Sequence, residues 1–497
     1  MVRERRGMRV KLLFPPSDRR YKGRKTGYSK RSMPPQTAHA VLPAWLRKHS
    51  KKEVLVESMS DQKPTSRGFE DRSPKELTDF SKDSDIVGIT CWYHNLENAL
   101  SLSQEIKKEN PEIKIVLGGP GVSNPRIAGL ILGKHQSVDL IVEGDGEEAF
   151  TGIVEARPVQ SIPNVWYRDD GVKFTFHQST DLSRMPLWDF TDTVDYEKLL
   201  EQHRDLGKNE QSMIGIFSNR GCPKANRREP CIFCSSNIGG TDIRILPPEI
   251  FWKQRKRLQE VHGITDAYCS DNVFTLSLRY VKRIAEAKER DCEPLKMRIY
   301  SYPTDIVWKG GSFLVEKLRE IGVYNVFFGI ENFSHEVNRL ANKDSFEAKD
   351  LMRAIEILRS VGIGTTISLI VGLPGENSSS LQTTQSAFRE LMQTYGNRGI
   401  QRAYISLGMP LIGTPWYDEL VSDESIRKSY IRATGRELEQ EIAAEYDVLR
   451  ELSIKEHTSL GSTSEVYEGA GQLIKIARDY LPEENIGGYG LEELTHI

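Results

Sequence analysis

Short apolar runs alternate with amphipathic stretches along most of the chain. In the first 165 positions the runs are Arg9–Phe14, Glu53–Ser58, Ile86–Thr90, Ile113–Leu117 and Leu140–Glu143. Runs of this length, apolar nearly throughout, predict strands buried on both faces. Between them Ala38–His49 reads as a helix. Asn98–Lys108 reads as a second, with Leu100, Leu102 and Ile106 on one side. A Pro- and Gly-rich loop runs through Tyr21–Pro35. Strands and helices in alternation predict a doubly wound parallel sheet. Its ligands belong beyond the carboxyl ends of the strands. Those ends carry Cys91-Trp92-Tyr93-His94, Gly118-Gly119-Pro120-Gly121 and Gly144-Asp145-Gly146-Glu147-Glu148.

Residues 166–210 read as a linker with a hairpin near Asp169-Asp170-Gly171. A second series then begins. Strands are expected at Met213–Phe217, Asp266–Cys269, Lys296–Tyr300, Val323–Gly329, Thr365–Val371 and Ala403–Gly408. Helices are expected at Ile250–His262, Ser277–Arg290, Phe313–Ile321, Ala348–Val361 and Ser379–Tyr395. Repeated βα units of this kind predict a partial (β/α)6 barrel over 211–420, with its chemistry at the carboxyl-end loops. Residues 421–497 read as a C-terminal helical region, starting with a charged helix over Glu424–Leu452. The fold class is α/β: a sheet domain over 1–165, a linker, a barrel and a helical end.

Composition changes this picture little. The net charge of −2 implies no pull toward nucleic acid or an anionic membrane. No apolar run approaches the ~20 residues of a membrane helix. The basic start (Arg3, Arg5, Arg6, Arg9, Lys11) is not followed by the apolar stretch of a signal peptide. Cys91, Cys269 and Cys292 are scattered and suggest no disulfide framework, so a reducing cytoplasm is the expected compartment.

The other three of the six cysteines lie together: Cys222, Cys231 and Cys234. Three thiolates make a poor zinc site without a fourth ligand. They suit an iron–sulfur cluster with one iron left open, to which a small molecule can bind. A zinc-stapled binding module is the contrasting reading, and it needs a fourth ligand such as Cys269 or a histidine.

With this loop placed after the first barrel strand, the chain resembles the radical S-adenosylmethionine enzymes, in the branch with an N-terminal cobalamin-binding-type domain. Gly329-Ile330-Glu331, Gly372-Leu373-Pro374-Gly375-Glu376 and Gly413-Thr414-Pro415 carry the resemblance with the cysteines. Gly118-Gly119 and Gly144-Asp145-Gly146-Glu147 add the N-terminal part. The usual cysteine spacing in that family is three residues, then two. Here the first gap, Pro223 to Pro230, has eight. Its Lys224, Arg227 and Arg228 face either an anionic substrate or water. The resemblance implies a [4Fe–4S] cluster on Cys222, Cys231 and Cys234, and S-adenosylmethionine as the source of a 5′-deoxyadenosyl radical. It implies Phe233 near the adenine, Asp271 on the methionine amine, Glu331 on a ribose hydroxyl or the amine, and Gly372 against the nucleoside. Arg298 and Tyr300 share a strand face and are candidates for the barrel lumen.

For cobalamin the resemblance implies Thr90, Trp92, Gly118, Gly119, Glu143 and Gly144. The loop after the first strand, Ser17-Asp18-Arg19-Arg20-Tyr21-Lys22-Gly23, lacks the histidine that often ligates cobalt. The expected function is therefore methylation of an unactivated carbon in a metabolite or peptide, with flavodoxin or ferredoxin as electron donor. The alternative is a non-methylating rearrangement, a cyclisation, or transfer of another part of S-adenosylmethionine.

Overall fold

Two seven-stranded sheets, each grown from βα units, face one another across the carboxyl end of the first barrel strand. The computed structural model describes residues 7–17, 37–65, 68–205, 214–235, 242–288, 294–308, 310–343, 346–460 and 462–488. The expected Tyr21–Pro35 loop, Met213, Cys292 and most of the Ser17–Gly23 segment lie outside them.

In the first sheet the strand order is Val54–Met59, Met8–Leu13, Ile86–Thr90, Lys114–Gly118, Leu140–Val142, Val165–Arg168, Val172–Phe174. The first five are parallel. The last two are the hairpin expected near Asp170, and they pair antiparallel on the edge. This sheet therefore runs on to Phe174. The Arg168 guanidinium pins the hairpin by donating to the carbonyls of Leu132, His135 and Val138 at 2.6–2.7 Å. Strand order reverses between Met8–Leu13 and Ile86–Thr90, and a crevice opens at such a switch point.

The second sheet runs in chain order through Gly215–Ile216, Asp266–Cys269, Lys296–Ser301, Val323–Glu331, Gly364–Val371 and Ile400–Leu407, all parallel. Helices Pro248–His262, Leu278–Glu286, Gly311–Glu320, Ala348–Ser360 and Ser378–Tyr395 intervene between the strands. A seventh strand, Ile486–Gly487, adds to the last edge. The C-terminal region thus contributes to the barrel sheet as well as being helical.

The long helix expected over Glu424–Leu452 is broken. Helix Glu424–Thr434 stops at Gly435, whose φ of 74° takes a left-handed cap, and a new helix spans Tyr446–His457. The break lets Trp416, Tyr417, Tyr430 and Tyr446 join a core shared with the helices of the first sheet, through Leu96, Ile127 and Ile131. Arg126 fastens this junction by donating to the Tyr417 hydroxyl at 2.7 Å and to the Glu439 carbonyl at 2.9 Å. Helix Thr463–Arg478 packs on Ser378–Tyr395 so closely that a Cβ on Gly469 would meet Leu381 Cδ2 at 2.6 Å. No helix among the described residues is long and apolar enough to cross a membrane.

A Cβ at Gly435 would touch nothing within 4 Å, so only backbone strain opposes a side chain there. Gly435→Ala should lower stability by about 1 kcal/mol. Gly435→Asn should lose less, because Asn tolerates the left-handed region. Urea unfolding of both variants checks this, and equal losses would contradict it.

Candidate functional site

The cysteine loop is held at its root by a buried carboxylate. Asp271 accepts from the Ser218 and Asn219 amides at 2.8 and 3.1 Å, from Asn219 Nδ2 at 2.8 Å, and from the Ser218 hydroxyl. Burial pushes its carboxyl up to about 6, against the pull of those donors. Tyr280 donates from the far side to the carbonyl of Ser218 or Leu246. With four donors on its two oxygens, Asp271 holds the loop and leaves no free oxygen for an ammonium. The role expected for it on the methionine amine does not match this placement.

The eight-residue gap is folded, not slack. Pro223–Asn226 forms one helical turn with Cys222 at its N-cap. Pro at the first helical position suits this start. Asn226 N donates to Cys222 O at 2.8 Å, and Glu229 N to Lys224 O at 2.9 Å. Arg228 completes the reversal with φ of 60°. Lys224 ends up buried, at 4% exposure, while Arg227 and Arg228 are exposed. The far end is clamped to distant elements. Asn342 Nδ2 donates to Pro230 O at 2.9 Å, Ile232 N to Ala341 O at 3.1 Å, and Trp416 N to Ile232 O at 3.0 Å. Phe233 and Ile232 pack, half-buried, on the core that joins the C-terminal helices to the first sheet.

Cys222, Cys231 and Cys234 are free thiols, each half-buried. Burial pushes the Cys231 thiol up to about 11, and Lys343 opposes that shift. Lys343 is itself ion-paired with Glu331 at 3.2 Å, the Glu331 side chain buried and that of Lys343 partly so. Glu331 ends its strand at φ of 61°, and its carboxylate folds back over Gly329. Among the described residues no three His, Cys, Asp or Glu side chains stand close enough to hold one metal ion. A cubane takes one thiolate on each of three irons, so its ligands stand farther apart than those of a single ion. The donor set and its place at the barrel mouth fit such a cluster.

The Gly372–Glu376 turn also closes on the protein. Glu376 accepts from Gly372 N at 2.5 Å and Asn332 Nδ2 at 2.6 Å. A Cβ on Gly375, at φ of 81°, would meet Leu340 Cδ1 at 2.1 Å. These glycines permit close approach of backbone to side chain here.

Between the two sheets lies a cavity of about 410 Å³. Thr90, Gly118, Gly119 and Gly144 line it from the first sheet. Asn219, Arg220, Gly221 and Ser235 line it from the cysteine loop. Trp92 and Glu143 are not among its lining residues. Glu143 turns to the hairpin, accepting from Trp166 Nε1 at 2.7 Å, and Trp92 lies under Gly121. The sequence reading gave no role to the ion network that spans the gap. Arg220 binds Asp145 at 3.1 Å and Glu147 at 2.6 Å, and Arg244 also pairs with Asp145. Burial opposes charge on Glu147, yet Arg220 outweighs it and holds the carboxyl below its usual range. The signal was the acidic run Asp145-Gly146-Glu147 after a strand. Its partners, Arg220 and Arg244, are distant in sequence.

Residues 216–388 match the Radical SAM superfamily, and residues 71–154 match the B12 binding domain. The chain joins a B12-binding domain to a radical SAM domain. An uncharacterized methyltransferase of Pyrococcus horikoshii is 24% identical over 355 residues, 69% of this chain and 70% of that relative. The fold resembles the radical S-adenosylmethionine methyltransferase TsrM of Kitasatospora setae, seen with cobalamin and a [4Fe-4S] cluster (TM-score 0.62, 17% identity, 84% of this chain and 75% of that one). It also resembles the cobalamin-dependent S-adenosylmethionine radical enzyme OxsB, seen with aqua-cobalamin and S-adenosylmethionine (TM-score 0.66, 15% identity, 94% and 66%). At these identities the likeness to both structures is one of fold.

Two outcomes follow, one at the junction of these domains and one inside the barrel. Arg220→Met leaves Glu147 buried without its partner and should reduce stability by about 3 kcal/mol. Adding Glu147→Gln should return part of that loss, and urea unfolding of the single and double variants measures it. Burial raises the Glu376 carboxyl to about 7 from its ordinary 4.5. Between those values the native state holds a proton that the unfolded chain releases, so stability falls as pH rises through the window. Glu376→Gln should flatten that fall, and an unchanged slope of the urea midpoint against pH would count against the assignment.

Proposed function

We propose that the protein methylates an unactivated carbon of a small-molecule or peptide substrate, using a [4Fe–4S] cluster, S-adenosylmethionine and cobalamin. The observation that carries this reading is the shared cavity. Strand-end glycines of the B12-binding domain and the root of the cysteine loop open into the same space, so both cofactors can act on one bound molecule.

Cys222, Cys231 and Cys234 hold the cluster, and Gly118, Gly119, Gly144 and Thr90 receive cobalamin. His39 hydrogen-bonds Thr90 Oγ1 at 3.2 Å and is kept neutral, its pKa lowered to about 4 by burial. It orients the hydroxyl without adding charge. When bound, the cluster supplies the electron that splits S-adenosylmethionine and cobalamin supplies the carried methyl group. The chain's own work is positioning and exclusion of water. The helical turn at Pro223–Asn226 and the clamps at Ala341, Asn342 and Trp416 fix the three thiols. Lys343 keeps positive charge beside Cys231 and Glu331, which favours thiolate over thiol. Glu331 stays a candidate for the methionine amine or a ribose hydroxyl through the oxygen not bound to Lys343. Phe233 stays beside the loop as the adenine's neighbour. A flavodoxin or ferredoxin provides the electron.

Anaerobically prepared protein should contain iron, sulfide and cobalt. Cys222→Ala, Cys231→Ala and Cys234→Ala should each lose the cluster, whereas Cys269→Ala and Cys292→Ala should keep it. Turnover should yield 5′-deoxyadenosine and S-adenosylhomocysteine, with the product one methylene unit heavier than the substrate. A product of unchanged mass, or one carrying a larger piece of S-adenosylmethionine, would favour the non-methylating alternative.

A further inference from the structure

The inward face of the barrel sheet has a distinct chemistry. Along its strands the positions that face the outer helices are mostly buried, while most of the alternate, inward positions keep partial exposure, Asn325 and Thr366 at the base being the buried exceptions. A packed lumen would bury both sets, since barrels of this kind are normally filled by side chains. The inward set is mainly polar and aromatic, with Ile370 as its aliphatic member. It contains Arg298, Tyr300, Tyr324, Phe327, Arg402 and Tyr404. The rings form a continuous wall, with Tyr300 and Phe327 centroids 4.8 Å apart and Phe327 and Tyr404 5.7 Å apart.

The two guanidinium groups meet at Tyr404. Burial opposes ionisation of this phenol, yet Arg298 and Arg402 outweigh it and lower its pKa from the ordinary value. Arg298 Nε is buried and has no hydrogen-bond partner. One carboxylate, Asp266, bears on Tyr324 at this level, so the arginines outnumber it. Both guanidinium groups hydrogen-bond the Tyr404 hydroxyl, and the donor left over, Arg298 Nε, is costly in the interior unless an acceptor joins it. Arg298 lies three residues below the strand end at Ser301, about 10 Å along the strand at roughly 3.3 Å per residue. Above it, Glu331 and Lys343 mark the mouth beside Cys231.

We propose that the barrel lumen binds a flat aromatic substrate bearing a carboxylate or phosphate, its anion anchored by Arg298 and Arg402 and its ring against Tyr300, Phe327 and Tyr404. This rests on the radical SAM reading of the barrel and names the substrate class for it. The anchor would direct a carbon about 10 Å from the anion toward the cysteine loop, by the same strand rise.

The test uses the full chain and three probes of one shape: 2-naphthoate, 2-naphthyl phosphate and the uncharged 2-naphthamide. Calorimetric titration should show at least one anion binding roughly tenfold or more tightly than the amide. Which anion it is separates the carboxylate from the phosphate source. Arg298→Gln and Arg402→Gln should each remove that preference, while Arg298→Lys keeps part of it. Folding of each variant is checked by circular dichroism. A second measurement needs no change at the arginines. Bound anion takes the guanidinium charge from Tyr404, so phenolate absorbance in a pH titration should move to higher pH, and Tyr404→Phe should lack that component. Equal affinity for anion and amide, no detectable binding of either anion, or an unmoved phenolate titration would overturn the proposal. Iron content and S-adenosylmethionine cleavage are read on the same preparations. Loss of either would sink the functional reading and leave anion binding in the lumen to stand or fall by itself.

Discussion

Arg220 is the residue on which the arrangement of the site depends. It sits two positions before Cys222 and reaches out of the barrel to Asp145 and Glu147, which belong to the last βα turn of the other domain. An interior arginine between two carboxylates is stable only as a complete set. Removing Arg220 strands the charge of Glu147, whose side chain is only 4% exposed. The geometry of the cysteine loop and the geometry of the glycine-lined crevice are therefore not independent. One guanidinium fixes both, and it stacks its own plane 4.9 Å from the Phe217 ring at the strand end.

The rest of the loop is held by hydrogen bonds instead of ion pairs. Asp271 ties the root, a single helical turn takes up the long gap, and backbone partners from two later elements hold the far end. A loop of this length loses more conformational freedom on ordering than a short one. The compensation is visible in the count of separate anchors, each drawn from a different barrel unit. The sulfur atoms lie on a segment held at both ends although only Pro223–Asn226 within it is helical.

The order of the two α/β units was legible because fully apolar runs followed by amphipathic stretches leave few other folds open. The three thiols were legible because cysteine is rare and their clustering is not accidental. What could not be read was direction. Asp271 and Glu143 occupy the strand-end positions that suit ligand binding, yet one accepts from the loop root and the other from Trp166. Carboxylates take whichever donors the fold brings near, and those donors come from residues 52 and 23 positions away along the chain. The break at Gly435 was missed for a different reason. Charged residues continue through it, and only the apolar side chains buried on either side show that the chain must turn.

The clamps on the cysteine loop impose a sequence on biogenesis. Cys222, Cys231 and Cys234 leave the ribosome more than a hundred residues ahead of Ala341 and Asn342, and earlier still relative to Trp416. Until those partners emerge the nascent thiols are unshielded and the segment between Pro230 and Cys234 has nothing to fold against. Metal loading is thus a late event, after translation has passed the sixth barrel strand, and oxidants compete for the sulfurs during that interval.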